Sequence, residues 1–381
     1  MSPPARTGFD AHMMAIALRL AERGLGATAP NPSVGAVIAD EATGEVIARG
    51  VTARGGRPHA ETEALGRAGE RARGATLYVT LEPCSHHGAT PPCADAIVAA
   101  GIGRVVCAIE DPDPRVAGRG LAQLRAAGIA VERGLMAREA HWMAAGHILR
   151  VTERRPLVQI KLALDANGDA PRGGGGNPAW ATGVEARAQG HLLRARVDAI
   201  LVGRQTVLDD DPLLTCRLPG LEDRSPIRVV IARNLDRLAQ SRLARSAHEH
   251  PLWIVCGERG QASALEAAGA RILRVQEIGG GLWLPAAMEA LVANGITRLL
   301  VEGGARTWRA FSQAGLIDEA VLFQARAAGM PPPDPERALA ALSRYVATEN
   351  LEQAEHRTVG GDDMLLFRRH WHSIGRRASQ T

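Results

Sequence analysis

The sequence predicts two α/β domains in one chain, and three observations carry that expectation. Short runs of apolar β-formers alternate with stretches at helical spacing along the chain. In the second half those runs are apolar throughout, as strands of a mostly parallel sheet covered on both faces must be. At 381 residues the chain exceeds one comfortable core, and Arg154-Arg155-Pro156 breaks the alternation. Domains are therefore expected at 10–133 and 156–370, with 134–155 as a helical linker.

The first helix is expected from Asp10, which can cap it, to Gly24; Met13, Met14, Ala17, Leu18 and Ala21 form its apolar stripe. Ala29-Pro30-Asn31-Pro32 stops it. Strands follow at 34–39 and 45–49, then a helix from Ala60 that leaves His59 at its start and Glu61 in its first turn. A strand over 76–81 runs into a polar turn, and Pro91-Pro92 opens a helix with Cys93 at its N-terminus, where thiolate is favoured. A strand at 104–108, a helix at 120–127, a strand at 129–132 and a helix at 138–150 complete this half.

In the second half, strands are expected at 157–162, 199–202, 227–231, 252–255, 271–275 and 298–301. Helices are expected at 183–196, 262–268, 285–293 and 307–314, with Leu365-Leu366-Phe367 as a last strand. Arg172-Gly173-Gly174-Gly175-Gly176 reads as a flexible loop and Gly329-Met330-Pro331-Pro332-Pro333 as an extended connector. Asp210-Asp211-Pro212 reads as a helix stop.

Composition narrows the function classes. Lys and Arg total 45 against 41 Asp and Glu, and no basic block is interleaved with aromatics, which make up only 3%. That argues against a nucleic-acid partner and leaves room for a phosphorylated small molecule. No apolar run approaches the length of a membrane span, and the charges of Arg19, Glu22 and Arg23 rule out a signal peptide in the first helix. A soluble, cytoplasmic protein is expected, with a homo-oligomer left open. Cys107, Cys216 and Cys256 sit in apolar runs and read as buried, reduced thiols.

The remaining two cysteines carry the chemistry. In Val79-Thr80-Leu81-Glu82-Pro83-Cys84-Ser85-His86-His87-Gly88-Ala89-Thr90-Pro91-Pro92-Cys93, eight residues separate Cys84 from Cys93. With His59 they supply three corners of a tetrahedral zinc site, the fourth being left for water. Glu61, two residues after His59, suits the role of proton carrier. A His-x-Glu followed by Pro-Cys is the pattern of zinc-dependent base deaminases. Glu302-Gly303-Gly304-Ala305-Arg306-Thr307, between a β run and a helix, could cradle a phosphate on backbone N–H groups or simply turn the chain.

With these residues in view, the chain resembles the bifunctional deaminase–reductases of bacterial riboflavin biosynthesis from Asp10 to Phe367. The long spacing of Cys84 and Cys93, Asn31-Pro32-Ser33-Val34-Gly35, and Asp111-Pro112-Asp113-Pro114 with Val116, Gly118 and Gly120 carry the first half of that resemblance. It implies a cytidine-deaminase-like α/β/α sandwich with one zinc ion on His59, Cys84 and Cys93. Glu61 would be the catalytic proton shuttle, and Asn31 would bind substrate. The implied substrate is a diaminopyrimidinone carrying a phosphoribosylamino group, which loses its 2-amino group as ammonia.

The second half resembles the partner reductase, whose fold is similar to dihydrofolate reductase and which uses NADPH to turn the ribosyl into a ribityl chain. The resemblance implies substrate contacts at Lys161, Arg194, Leu214, Arg217 and Glu302, and NADPH contacts at Trp180, Thr206, Asp210 and Gly304. Arginines suit the substrate phosphate. The chain departs from the family after Lys161. Asp165-Ala166-Asn167-Gly168-Asp169 stands where Ser-Leu-Asp-Gly and a basic residue are usual, and Pro178 replaces a serine two before Trp180. Two other readings stay open: a nucleoside or tRNA deaminase, and a deaminase whose second domain is a non-catalytic binding module.

Overall fold

The computed structural model describes residues 4–88, 91–171, 181–279, 281–326 and 335–370. It divides into two compact units, Met1–Glu153 and Arg154–Thr381.

The first unit comprises α1 (Pro4–Gly24), β1 (Gly35–Asp40), β2 (Glu45–Val51), α2 (Ala60–Ala68), β3 (Thr76–Val79), α3 (Cys93–Ala99), β4 (Arg104–Cys107), α4 (Arg119–Ala126), β5 (Ala130–Arg133) and α5 (Ala137–Thr152). Its five-stranded sheet has the order β2-β1-β3-β4-β5. β1 runs antiparallel to both neighbours, and β3, β4 and β5 are parallel. Side-chain alternation along β1 decides which helix lies where. A Cβ on Gly35 would stand 1.9 Å from the Ala17 carbonyl, so α1 lies against that face, where Val37 and Ala39 join Met13, Met14 and Ala17 in a core. Gly50, paired with Ala36, belongs to the opposite face, where a Cβ would stand 2.0 Å from the Ala60 carbonyl of α2. The result is the α/β/α sandwich of cytidine deaminases.

Two expectations need correction here. Asp10 does not cap α1, which begins at Pro4. Its carboxylate instead accepts the Tyr78 hydroxyl and both terminal nitrogens of Arg104, pinning the helix to the sheet. The segment expected as a linker is a helix of the first unit: α5 adds Ala140 to the α1 core and joins His147 Nε2 to Asp111 Oδ1 at 2.9 Å.

The second unit contains β6 (Leu157–Leu164), α6 (Val184–Ala195), β7 (Ala199–Gly203), α7 (Arg204–Asp210), β8 (Ile227–Ile231), α8 (Arg242–Arg245), β9 (Leu252–Gly257), α9 (Ser263–Ala267) and β10 (Arg271–Val275). The short pair β11 (Glu277–Ile278) and β12 (Gly281–Leu282) leads to α10 (Leu284–Ala293), β13 (Arg298–Val301), α11 (Ala305–Gln313), β14 (Glu319–Ala325), α12 (Pro335–Ser343), β15 (Leu351–Val359) and β16 (Asp362–Arg369). Nine strands form one sheet in the order β10-β9-β8-β7-β13-β6-β14-β16-β15. The first seven are parallel; β16 and β15 add an antiparallel hairpin. Alternation divides the core in two: Ala199 and Leu201 of β7 face one apolar cluster, Ile200 and Val202 the other. Both faces are covered, as the apolar strands required. This is the mixed α/β sheet of a dihydrofolate-reductase-like domain. Arg155 anchors the start of β6 by a bidentate pair with the fully buried Asp318.

Candidate active sites

The deaminase-like site is assembled from two helix starts and one turn. His59 is the residue before α2, and Cys93 is the first residue of α3, with Pro92 ahead of it. Cys84 lies in the turn after β3, and its sulfur accepts the Cys93 backbone N–H at 3.3 Å. His59 Nδ1 is 3.3 Å from Cys93 Sγ and 3.7 Å from Cys84 Sγ. The three ligand atoms lie within 4.8 Å of one another. Two soft thiols and an imidazole converging this closely match what zinc takes from a protein, and three protein donors leave a fourth position open.

The electrostatics follow from that crowding. The hydrogen bond from Cys93 holds the Cys84 thiol down at about 4 and keeps the shared proton on Cys93, which is pushed far up. The hydrogen bond to Cys84 raises His59. Glu61, in the first turn of α2 and 3% exposed, is pushed up to about 7 by burial, against the pull of the His59 charge. It is a carboxyl poised near neutrality beside a metal-ligand set.

Asn31 lies one loop away in the chain. Its side-chain amide donates to Gly56 O at 2.8 Å, while its carbonyl accepts Thr28 Oγ1. Gly56 has φ +88°, and a Cβ there would press on Asn31 Nδ2 at 2.6 Å, so this contact requires glycine. The structure thus uses Asn31 to set the turn that leads into His59.

In the second unit, Lys161 on β6, Glu302 at the end of β13 and Arg194 near the end of α6 come together. Arg194 meets Glu302 in a two-pronged pair, 2.8 Å on each side, and donates to Thr215 O at 3.0 Å. Lys161 Nζ is 3.9 Å from Glu302 Oε2. Although burial favours the neutral acid, Arg194 and Lys161 hold Glu302 down at about 2. Burial lowers Lys161, with Glu302 opposing. Arg194 thus directs its guanidinium at Glu302 and Thr215 O. Arg217 is exposed; partial desolvation and then the charges of Arg194 and Arg242 lower its pKa. Leu214, 3% exposed with φ 58°, turns the chain between Asp211 and Thr215.

The turns after β7 and β13 converge on Thr307. A Cβ on Gly203 would stand 2.9 Å from its hydroxyl, and one on Gly303 would stand 2.8 Å from its Cβ. Gly304 then precedes α11, and Thr206 and Asp210 lie on α7, whose helix ends where Asp211 takes φ 37°. Burial and the neighbouring Asp209 raise Asp210. Both turns lie at the carboxyl ends of adjacent parallel strands, β7 and β13, the place where dinucleotides bind in open α/β sheets, so the residues present fit a nicotinamide cofactor. Trp180 and Pro178 lie outside the described residues.

The departure after β6 is compensated. Asp165 Oδ1 accepts the amides of Asn167 and Asp169, closing a tight turn. Arg344 pairs with Asp169 at 2.5 Å and donates to Gly168 O, while the Tyr345 hydroxyl accepts the Ala170 amide. A basic residue from beyond α12 thus meets the reversed charge. His191 was passed over in the sequence: its Nδ1 accepts the Arg217 amide, and burial, aided by Arg194, lowers it to about 4. Only its position three residues before Arg194 on α6 hinted at it.

Fold and sites together define a two-domain enzyme, a zinc-type deaminase joined to a reductase. Comparison with known proteins agrees. The cytidine and deoxycytidylate deaminase zinc-binding region matches residues 8–109, and the RibD C-terminal domain matches residues 157–328. Riboflavin biosynthesis protein RibD of Escherichia coli is 42% identical over 325 residues, 82% of this chain and 87% of that protein. The structure of Acinetobacter baumannii RibD is similar at a TM-score of 0.79 and 31% identity, covering 95% of this chain and 99% of that one. That of the Thermotoga maritima diaminohydroxyphosphoribosylaminopyrimidine deaminase/5-amino-6-(5-phosphoribosylamino)uracil reductase is similar at 0.78 and 29%, covering 96% and 99%. The chain belongs to the RibD family of bifunctional riboflavin-biosynthesis enzymes. Among the described residues no helix is long and apolar enough to cross a membrane.

Proposed function

We propose that the first unit hydrolyses the 2-amino group from a diaminopyrimidinone bearing a phosphoribosylamino substituent. The second would then reduce the ribosyl of that product to a ribityl chain at the expense of NADPH. The convergence of His59, Cys84 and Cys93 beside a buried glutamate carries the first part. These three residues would hold one zinc ion, which when bound supplies a Lewis acid that makes water nucleophilic at neutral pH. Glu61 accepts the proton of the attacking water and returns it to the departing nitrogen. The C–N bond breaks and ammonia leaves as the carbonyl forms. Burial suits Glu61 to both steps, because a carboxyl near 7 gives up and takes protons with equal ease. Asn31 would bind the pyrimidine at the edge of the same loop.

In the second unit, the turn at Gly304 with Thr206 and Asp210, together with Trp180, would bind NADPH, which when bound supplies the hydride. Lys161 and Glu302 would hold the ribosyl chain, with Leu214 shaping the wall. Arg217 would meet the phosphate, and Arg194 would keep Glu302 ionised. Lys161 Nζ, whose pKa burial lowers, would donate a hydrogen bond to the ribosyl chain beside Glu302. The reading is tested by Glu61→Gln. The variant is expected to retain its zinc and to release ammonia about 10²- to 10⁴-fold more slowly; a normal rate would remove Glu61 from the chemistry.

A further inference from the structure

We infer that Glu82 is a positioning residue for the deaminase centre: its buried carboxylate clamps the Pro83-Cys84 turn to the loop 111–121 and so fixes where the Cys84 sulfur stands. The inference rests on the deaminase reading above. Glu82 is 4% exposed, and it takes no part in the chemistry just described. Its Oε2 accepts the amides of Asp111 at 3.2 Å and Gly118 at 2.9 Å, and its Oε1 accepts that of Leu121 at 3.2 Å. Its own amide donates to Ile109 O at 3.0 Å. The side chain therefore acts as a cap for the start of α4, reaching it from the turn after β3, and charge-assisted bonds of this kind are the strong ones.

Two neighbours show that the clamp bears on the metal-ligand turn and not on α4 alone. A Cβ on Gly120 would stand 2.1 Å from Pro83 O and 3.2 Å from Glu82 Oε1, so the loop packs directly on the peptide that enters Cys84. On its far side the loop is held by α5, where His147 Nε2 meets Asp111 Oδ1, the oxygen that also accepts the Asp113 amide. Cys84 is thus one peptide from a fixed point. Glutamine in place of Glu82 would offer one oxygen to three amides and turn an NH₂ toward a donor.

The test uses the full chain carrying Glu82→Gln, read by chelator competition for zinc and by the visible spectrum of the cobalt(II)-substituted protein. Zinc affinity and the turnover number for ammonia release are each expected to fall by about 10- to 100-fold. The cobalt bands should shift, and KM should stay within about threefold. Two calorimetric transitions at the temperatures of the natural sequence report that both units are folded. Gly120→Ala, which pushes on Pro83 from the other side, should give the same signature and decides the matter if Glu82→Gln does not fold. Zinc affinity and cobalt bands matching the natural sequence overturn the proposal, whether or not turnover falls. Should the natural sequence itself bind no zinc and release no ammonia, the deaminase reading fails instead, and the two failures are told apart.

Discussion

Glu61 shows how burial tunes a single group. With its carboxyl near 7, it is ionised above that value and protonated below it. A group that must accept a proton works only when ionised, so deamination should fall as pH drops through its pKa. A cation seated on His59, Cys84 and Cys93 draws that limb toward lower pH. A profile of kcat/KM for ammonia release is expected to show an acid limb at or below about pH 7. A rate independent of pH from about 4 to 8 would contradict the base role. His59, Glu61, Cys84 and Cys93 were legible in the sequence because residue type and spacing announce them. Asn31 is expected from the sequence as a substrate contact and Glu82 only as part of a motif; their bonds to distant backbone groups are not legible there. The amides that Glu82 holds lie 29 to 39 residues away. Arg194 is expected from the sequence as a substrate contact; its buried pairing with Glu302, 108 residues on, is not legible there.

At the scale of elements, the second unit depends on two glycine turns meeting at one threonine. Gly303→Ala would drive a methyl group into Thr307 and displace the start of α11. The expected result is a KM for NADPH raised by about tenfold or more with ammonia release intact. An unchanged KM would separate this turn from the cofactor. The strands at 227–231, 271–275 and 298–301 fall where the apolar runs placed them. β14 was not foreseen: a short buried run such as Ala320-Val321-Leu322-Phe323 carries no period that distinguishes strand from helix. β15 was hidden for the opposite reason. It is the edge strand of the sheet, rich in Glu, Gln, His and Arg, and half open to solvent. The turn at Asn167 and Asp169 reads as a departure because its compensating Arg344 lies 175 residues beyond Asp169 in the chain.

For the whole molecule, the division at Glu153/Arg154 predicts separable responses to ligands. Calorimetry of the metal-free protein should show two transitions. Zinc should raise only one of them and NADPH only the other, each by the mass-action gain of binding to the folded state, about 2.7 kcal/mol at a hundredfold excess over Kd. Both ligands raising the same transition would contradict the assignment of one site to each unit. The break itself was legible within two residues, at Arg154-Arg155-Pro156. The allegiance of α5 was not, because its bond from His147 to Asp111 spans 36 residues. Strand order was equally out of reach, since β13 enters the sheet between β6 and β7 only after three further strands have been laid beside β7.

Two successive reactions on one chain can be followed in a single vessel. The zinc-loaded protein would receive the phosphoribosylated diaminopyrimidinone and NADPH, with ammonia release and NADPH oxidation followed together. Ammonia is expected to appear first, with NADPH oxidation following at one equivalent per ammonia. Ammonia without NADPH oxidation would contradict the reductase half, and NADPH oxidation without ammonia would contradict the order. No ammonia at all would overturn the substrate.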